Sequence, residues 1–353
     1  IGIKYVSEIG SLVSSCQKLQ KDEYLQSVAV KSSVLLMLGR FMTSPQIHTP
    51  VLFLVFNRPE PTQKVFEMIR KASPRRLYIA ADGPRQDVST DLESCEKVRN
   101  VVGQVDWPCE VETLFRDKNL GCGRAVSSAI DWFFDKETEG IILEDDCLPA
   151  ASFFGYCQEL LEYFRDEMRV MHISGYNPLP QQEPHSESYY FSRYPGVWGW
   201  ATWRRAWKSY DFSMQRLSEF CADTENDYGY NLPDERTARI KVFKETQAGK
   251  IDTWDYQWAF ALRFNGGLCV RPFVSMISNL GLGEEATHTK TAKAFAGNNE
   301  SREINLPLVH PKLIQPNKAK DIELFEKIIS RPSPFLFIKG LLGALPKFGR
   351  GKT

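Results

Sequence analysis

Gly140-Ile-Ile-Leu-Glu144-Asp145-Asp146 is a short apolar run that ends in three consecutive carboxylates. Its length and abrupt close on charge read as a strand buried on both faces. Three adjacent acids repel one another, and withdrawing them from water is costly unless a cation or hydrogen-bond donors offset their charge. Oxygen ligands suit a hard divalent ion, Mg²⁺ or Mn²⁺, of the kind that bridges diphosphate oxygens. In an extended strand Glu144 and Asp146 point to one side and Asp145 to the other. The plainer reading is a solvated acidic turn in which Asp146 caps the next helix; the position after a buried strand favours the cation.

Outward from this stretch the chain alternates. Val51–Phe56, Leu77–Ala81, Glu110–Phe115, Gly140–Leu143 and Val170–Ser174 have strand length and composition. Between them, Thr62–Lys71, Asp91–Val102, Arg124–Phe134 and Ser152–Arg165 carry apolar residues at helical spacing. Strands alternating with helices predict crossover connections, and so an α/β fold with a mostly parallel central sheet flanked by helices. Ligands of such sheets bind beyond the carboxyl ends of the strands. The polar signals gather there: Asn57-Arg58, Asp82, Arg116–Arg124 and Glu144–Asp146. After Ser174 the alternation decays into loops, tryptophans and glycines.

The expected organisation is a helical extension over residues 1–47 and a nucleotide-binding α/β half over 48–175. A mixed, acceptor-side half follows over 176–302, and then a C-terminal extension over 303–353. The last 22 residues, 332–353, mix basic residues with Phe335-Leu-Phe-Ile and Leu341-Leu342. That composition fits either peripheral contact with a membrane or a packed tail. Lys plus Arg and Asp plus Glu are 44 each, so overall charge gives no reason to expect nucleic acid. The eight cysteines include no CxxC pair, which argues against a zinc site and fits a reducing cytoplasm. No apolar run reaches the ~18 residues needed to span a bilayer.

Individual residues carry weaker signals. Arg58 can clamp a phosphate or stack on a base. Asp82 can accept from a base N–H, or is a turn aspartate before Gly-Pro. Asn119-Leu-Gly121-Cys-Gly-Arg124 is a glycine loop opening a helix, where backbone approaches a ligand closely and an anion is favoured. Trp198 and Trp200 are candidates for stacking on a sugar, whereas Trp203 and Trp207 read as core. Asp255, between Trp254 and Trp258, is either a base raised by apolar surroundings or a helix-capping acid. His288 stands alone, and a lone histidine is usually structural.

In combination, LVFNRP, IAADGPR, RDKNLGCGRAV, IILEDDCLPAASFF, YPGVWGWATWRRAW, TWDYQW and VRPFVSMISNLGLGEEATHT resemble a GT-A fold glycosyltransferase. More narrowly they are similar to the N-acetylglucosaminyltransferase I-like branch and its bacterial relatives. The resemblance spans about residues 50–288. It implies that Asn57, Arg58, Asp82, Asn119, Gly121 and Arg124 hold the donor, a UDP-sugar, with Asp82 reading the base. Asp146 would bind the metal directly, Asp145 would contact ribose or sugar, and Glu144 would orient the donor. His288 would lie near the diphosphate, and Trp198, Trp200 and Trp254 near the acceptor. Asp255 would be the catalytic base of an inverting transfer to a glycan or other hydroxyl. The chain departs from the family's base motif at Tyr256 and in the placing of Trp258. Two other functions remain in view: a sugar-nucleotide nucleotidyltransferase, which would want a glycine-rich loop where this chain has Asn-Arg-Pro, and a non-catalytic sugar-binding module.

Overall fold

The computed structural model describes residues 47–179, 185–281 and 300–329. Residues 1–46 of the N-terminal extension, His288 and the basic tail 332–353 lie outside them. The alternation runs β1 (Val51–Val55), α1 (Pro59–Ala72), β2 (Arg76–Ala81), α2 (Asp91–Val102) and β3 (Glu110–Phe115). It continues with α3 (Gly121–Lys136), β4 (Glu139–Glu144), β5 (Cys147–Pro149), α4 (Ser152–Tyr163) and β6 (Val170–Ser174). Then come β7 (Tyr189–Ser192), β8 (Trp200–Trp203), α5 (Arg204–Trp207), α6 (Leu217–Ala222) and α7 (Pro233–Gln247). The last elements are α8 (Asp255–Phe264), β9 (Leu268–Pro272), β10 (Ile277–Asn279) and α9 (Lys318–Leu324).

Eight strands form one sheet in the order β3-β2-β1-β4-β8-β6-β9-β7, and β5 and β10 form a separate ribbon. The first four strands are all parallel. Strand β8 is inserted antiparallel between β4 and β6, so β6 regains the direction of β4. Strand β9 runs parallel to β6, and β7 closes the far edge antiparallel. The architecture is therefore α/β with a mostly parallel central sheet flanked by helices, as the sequence pattern predicts.

The continuous apolar strands follow from cover on both faces. Val51, Phe53 and Val55 pack under α1, α2 and α4, with Phe66, Val98 and Phe153. Leu52 and Leu54 point the other way, to Phe133 of α3 and Trp258 of α8. Each fully buried large side chain of this kind contributes roughly 1.5–3 kcal/mol. Gly140 in β4 has a steric reason. A Cβ there would collide with the Phe133 ring and sit 3.0 Å from the Pro50 carbonyl oxygen.

The C-terminal segment is tied into this body. Glu303 accepts from the Ala151 and Ser152 amides at 3.0 and 2.7 Å, capping the start of α4. Pro316 bridges to Phe191 of β7, and the buried Asp321 of α9 accepts from Ser192 Oγ at 2.5 Å and the Arg193 amide at 2.9 Å. No helix among the described residues is long and apolar enough to cross a membrane.

Candidate functional site

Parallel register brings the ends of β1, β2, β3 and β4 to one rim, and the direction of β6 and β9 extends it across the sheet. Pro59 opens α1 directly after β1, a position that suits its fixed φ. The residue before a proline is held out of the helix, so Arg58 stands at the rim. Its Nη1 donates to Asp146 Oδ2 at 2.6 Å and lies 3.7 Å from Asp145 Oδ1. Asp145 is buried and also accepts from the Phe56 amide at 3.2 Å.

The strand-based alternation of the three acids does not hold. Strand β4 stops at Glu144 and the chain turns before β5, so Asp145 and Asp146 both face Arg58. Burial and the charges of Asp146 and Asp145 push the Glu144 carboxyl well above the usual range. Burial raises Asp145 as well, against the opposing field of Arg58. Burial alone would lower the Arg58 pKa, but Asp145, Asp146 and Glu144 outweigh it and raise it. One guanidinium thus answers three carboxylates.

The β5–β10 ribbon closes over this pair. The Leu280 amide donates to the Asp146 carbonyl at 2.8 Å, and Asn279 Oδ1 accepts from the Gly281 amide at 2.8 Å. A Cβ on Gly281 would strike the Asp146 carboxylate and come within 2.9 Å of Arg58 Nη1. Sequence reasoning assigned no role to Asn279 or Gly281. Their only local signal is a glycine among other glycines.

Asp82 is buried and engaged within the protein. Its oxygens accept from the Gly83 amide at 2.9 Å, the Leu120 amide at 3.1 Å and Asn119 Nδ2 at 2.9 Å. Burial, opposed by these bonds, raises its pKa. Asn57 Nδ2 donates to Asp91 Oδ1 at 2.7 Å. Asp91 is gripped by Arg85 at 2.6 and 2.9 Å, which holds its carboxyl down to about 2. The helix-start anion site expected at Gly121–Arg124 is filled by the chain itself: Asp252 Oδ1 accepts from the Gly123 amide at 3.0 Å. Arg124 is exposed and stacks on Phe212, its guanidinium 3.7 Å from the ring centre.

On the other side of the rim, Trp200 is 0% and Trp254 2% exposed, and they stack on each other at 5.5 Å. Neither has a ring face free for a sugar, so their expected acceptor contact is corrected to core packing. Trp203 and Trp207 are core as expected. The register of Ile142 opposite Trp200 brings Gly199 beside Leu143. Trp198 is only partly buried and lies 4.4 Å from the Tyr176 ring.

Asp255 is the first residue of α8, and Thr253 Oγ1 donates to its Oδ1. Its charge acts on Glu144, and with Glu144 and Asp252 it also acts on Cys122. Among the charges that raise Glu144, that of Asp255 is the smallest, after Asp146 and Asp145. Among the described residues no three His, Cys, Asp or Glu side chains converge as a ready metal cage. The donor set nonetheless fits a hard cation held by one or two carboxylates, the remaining positions coming from phosphate and water.

No protein-family model matches the chain, and no curated protein matches it. Among solved structures, UDP-glucose pyrophosphorylase complexed with UDP-glucose is similar at 12% identity and a TM-score of 0.30, over 64% of this chain and 91% of that one.

Proposed function

We propose that the chain is a metal-dependent, inverting glycosyltransferase that moves a sugar from a UDP-sugar to a glycan or other hydroxyl. The observation that carries the reading is the acid triplet at the end of β4 facing the single guanidinium of Arg58, with Asp255 at the start of α8 as the candidate base. Asp146 would hold Mn²⁺ or Mg²⁺, which when bound neutralises the diphosphate of the leaving group. Arg58 clamps a phosphate oxygen, and Glu144 and Asp145 orient ribose and sugar. Asp255, aligned by the Thr253 hydroxyl, takes the acceptor proton. The acceptor oxygen then bonds to the anomeric carbon as the bond to the diphosphate oxygen breaks, and UDP leaves with that electron pair. Trp198 offers the acceptor an apolar face. Residues 332–353 would carry any peripheral membrane contact, and free thiols such as Cys95 and Cys157 suit a reducing cytoplasm.

Calorimetric titration of UDP with and without Mn²⁺ tests the donor site, with GDP as control. Metal-dependent UDP binding is expected, weakened at least about 10-fold in Asp146→Asn. No nucleotide binding would remove the reading. Incubating the protein with UDP-sugar and pyrophosphate separates the two enzyme classes. UTP formation identifies nucleotidyl transfer, and UDP release identifies glycosyl transfer.

A further inference from the structure

The two glycines of the 119–124 loop do not face open space. Gly121 sits at φ +79°, and a Cβ on it would fall 2.7 Å from Asp252 Oδ2. A Cβ on Gly123 would fall 2.7 Å from Asp252 Oδ1, 2.8 Å from the Thr253 carbonyl oxygen and 3.3 Å from the Phe212 ring. The Asp252 carboxylate presses against both residues, and the Thr253 carbonyl oxygen presses against Gly123 as well. The Asp252–Gly123 hydrogen bond joins residues 129 apart in the chain.

Each end of this contact leads to the site. Toward the donor side, Asn119 and Leu120 are held by the Asp82 carboxylate at the end of β2. Toward the base, the Thr253 carbonyl accepts from Gln257 Nε2 at 2.8 Å, the Trp254 carbonyl accepts from Tyr210 Oη at 3.2 Å, and the Thr253 hydroxyl donates to Asp255. Cys122, between the two glycines, has its thiol pKa raised chiefly by burial, with smaller contributions from the charges of Glu144, Asp255 and Asp252. A continuous path of short contacts thus runs from Asp82 through the glycine loop and Asp252 to Asp255.

We infer that Asp252 is a positioning residue, whose carboxylate clasps the first turn of α3 and so sets the place of Asp255 against the bound donor. This rests on the glycosyl-transfer reading and adds to it a residue outside the motif that suggested it. It also assigns the diphosphate to the Arg58–Asp146 side, because the Gly123 amide at the start of α3 already serves a carboxylate. A base placed through such a clasp is sensitive to small displacements, and a shift of about 1 Å at a reacting group costs on the order of 100-fold in rate.

The test uses the full chain, with Asp252→Ala, Asp252→Asn and Gly123→Ala. The Asn side chain keeps an oxygen for the Gly123 amide, whereas the Gly123 methyl pushes the clasp open. Two quantities are read. One is UDP affinity with Mn²⁺ by calorimetry. The other is kcat and KM for UDP release from whichever of UDP-glucose, UDP-galactose and UDP-N-acetylglucosamine the wild type consumes.

Expected is a kcat lower by about 10- to 100-fold in Asp252→Ala and Gly123→Ala. UDP affinity should stay within about 2-fold, and Asp252→Asn should recover most of the rate. Unchanged kcat in Asp252→Ala overturns the inference. So does a parallel loss of UDP affinity, which would make the clasp a shaper of the donor loop alone. A wild type that consumes no UDP-sugar fails before any variant is compared, and removes the glycosyl-transfer reading together with this one.

Discussion

His172 lies at 0% exposure in β6 with both ring nitrogens used. Trp258 Nε1 donates to its Nδ1 at 3.1 Å, and its Nε2 faces the Gly196 carbonyl at 3.0 Å, so the ring is neutral with the proton on Nε2. Burial lowers its pKa to about 3. The unfolded chain takes up this proton near pH 6.5, and the native state refuses it. The stabilisation is therefore complete above about 6.5 and is lost, at about 1.4 kcal/mol per pH unit, as pH falls toward the native value. Melting temperature should drop more steeply between pH 6.5 and 4 in the wild type than in His172→Gln; parallel curves would refute it. At this scale the acid triplet and Arg58 were legible because each stands at a strand end. The burial of Trp200 and Trp254 was not, since a tryptophan on a sugar and one in a core have the same local sequence. Nor was Asp252, whose partner comes from a glycine loop far back in the chain.

Helix α7 shows why one element escaped the periodicity reading. Its buried face is Glu235, Arg239, Phe243 and Thr246, a helical stripe that is mostly polar. Glu235 is anchored rather than apolar. It accepts from the Tyr194 hydroxyl and the Asn231 amide, and its carboxylate lies 3.7 Å from the buried Arg263. Removing it leaves that guanidinium without its carboxylate. Glu235→Ala should cost about 3–5 kcal/mol in urea unfolding, the usual penalty for breaking a buried pair from one side. A loss below about 1 kcal/mol would show that Arg263 does not depend on it. The main-sheet strands up to Ser174 and the helices between them were legible to within about three residues, whereas the short strand β5 was not; the buried strands and helix stripes there are apolar, and only the edge strand β3 is largely exposed. Strand β8 was not legible either. Its four residues read as an aromatic cluster, and only pairing with β4 and β6 makes them a strand.

Across the whole molecule, the sheet ends at β7, and the 300–329 segment covers that edge. Asp321→Leu would leave the Ser192 hydroxyl and the Arg193 amide unserved, at about 1–3 kcal/mol for each buried group. Limited proteolysis should then cut within 300–329 before the rest of the chain, and an unchanged cleavage pattern would argue against this anchoring. The insertion of β8 between β4 and β6 has a consequence in time. On a ribosome, β3, β2, β1 and β4 can pair as soon as they emerge, but the outer edge of β4 has no neighbour until Trp200–Trp203 are made. At about 5–20 residues per second that interval is roughly 3 to 12 s. During it an apolar strand edge ending in Glu144-Asp145-Asp146 waits unpaired, open to another nascent chain. The acids of the candidate site would, in those seconds, also repel a second copy of the same edge.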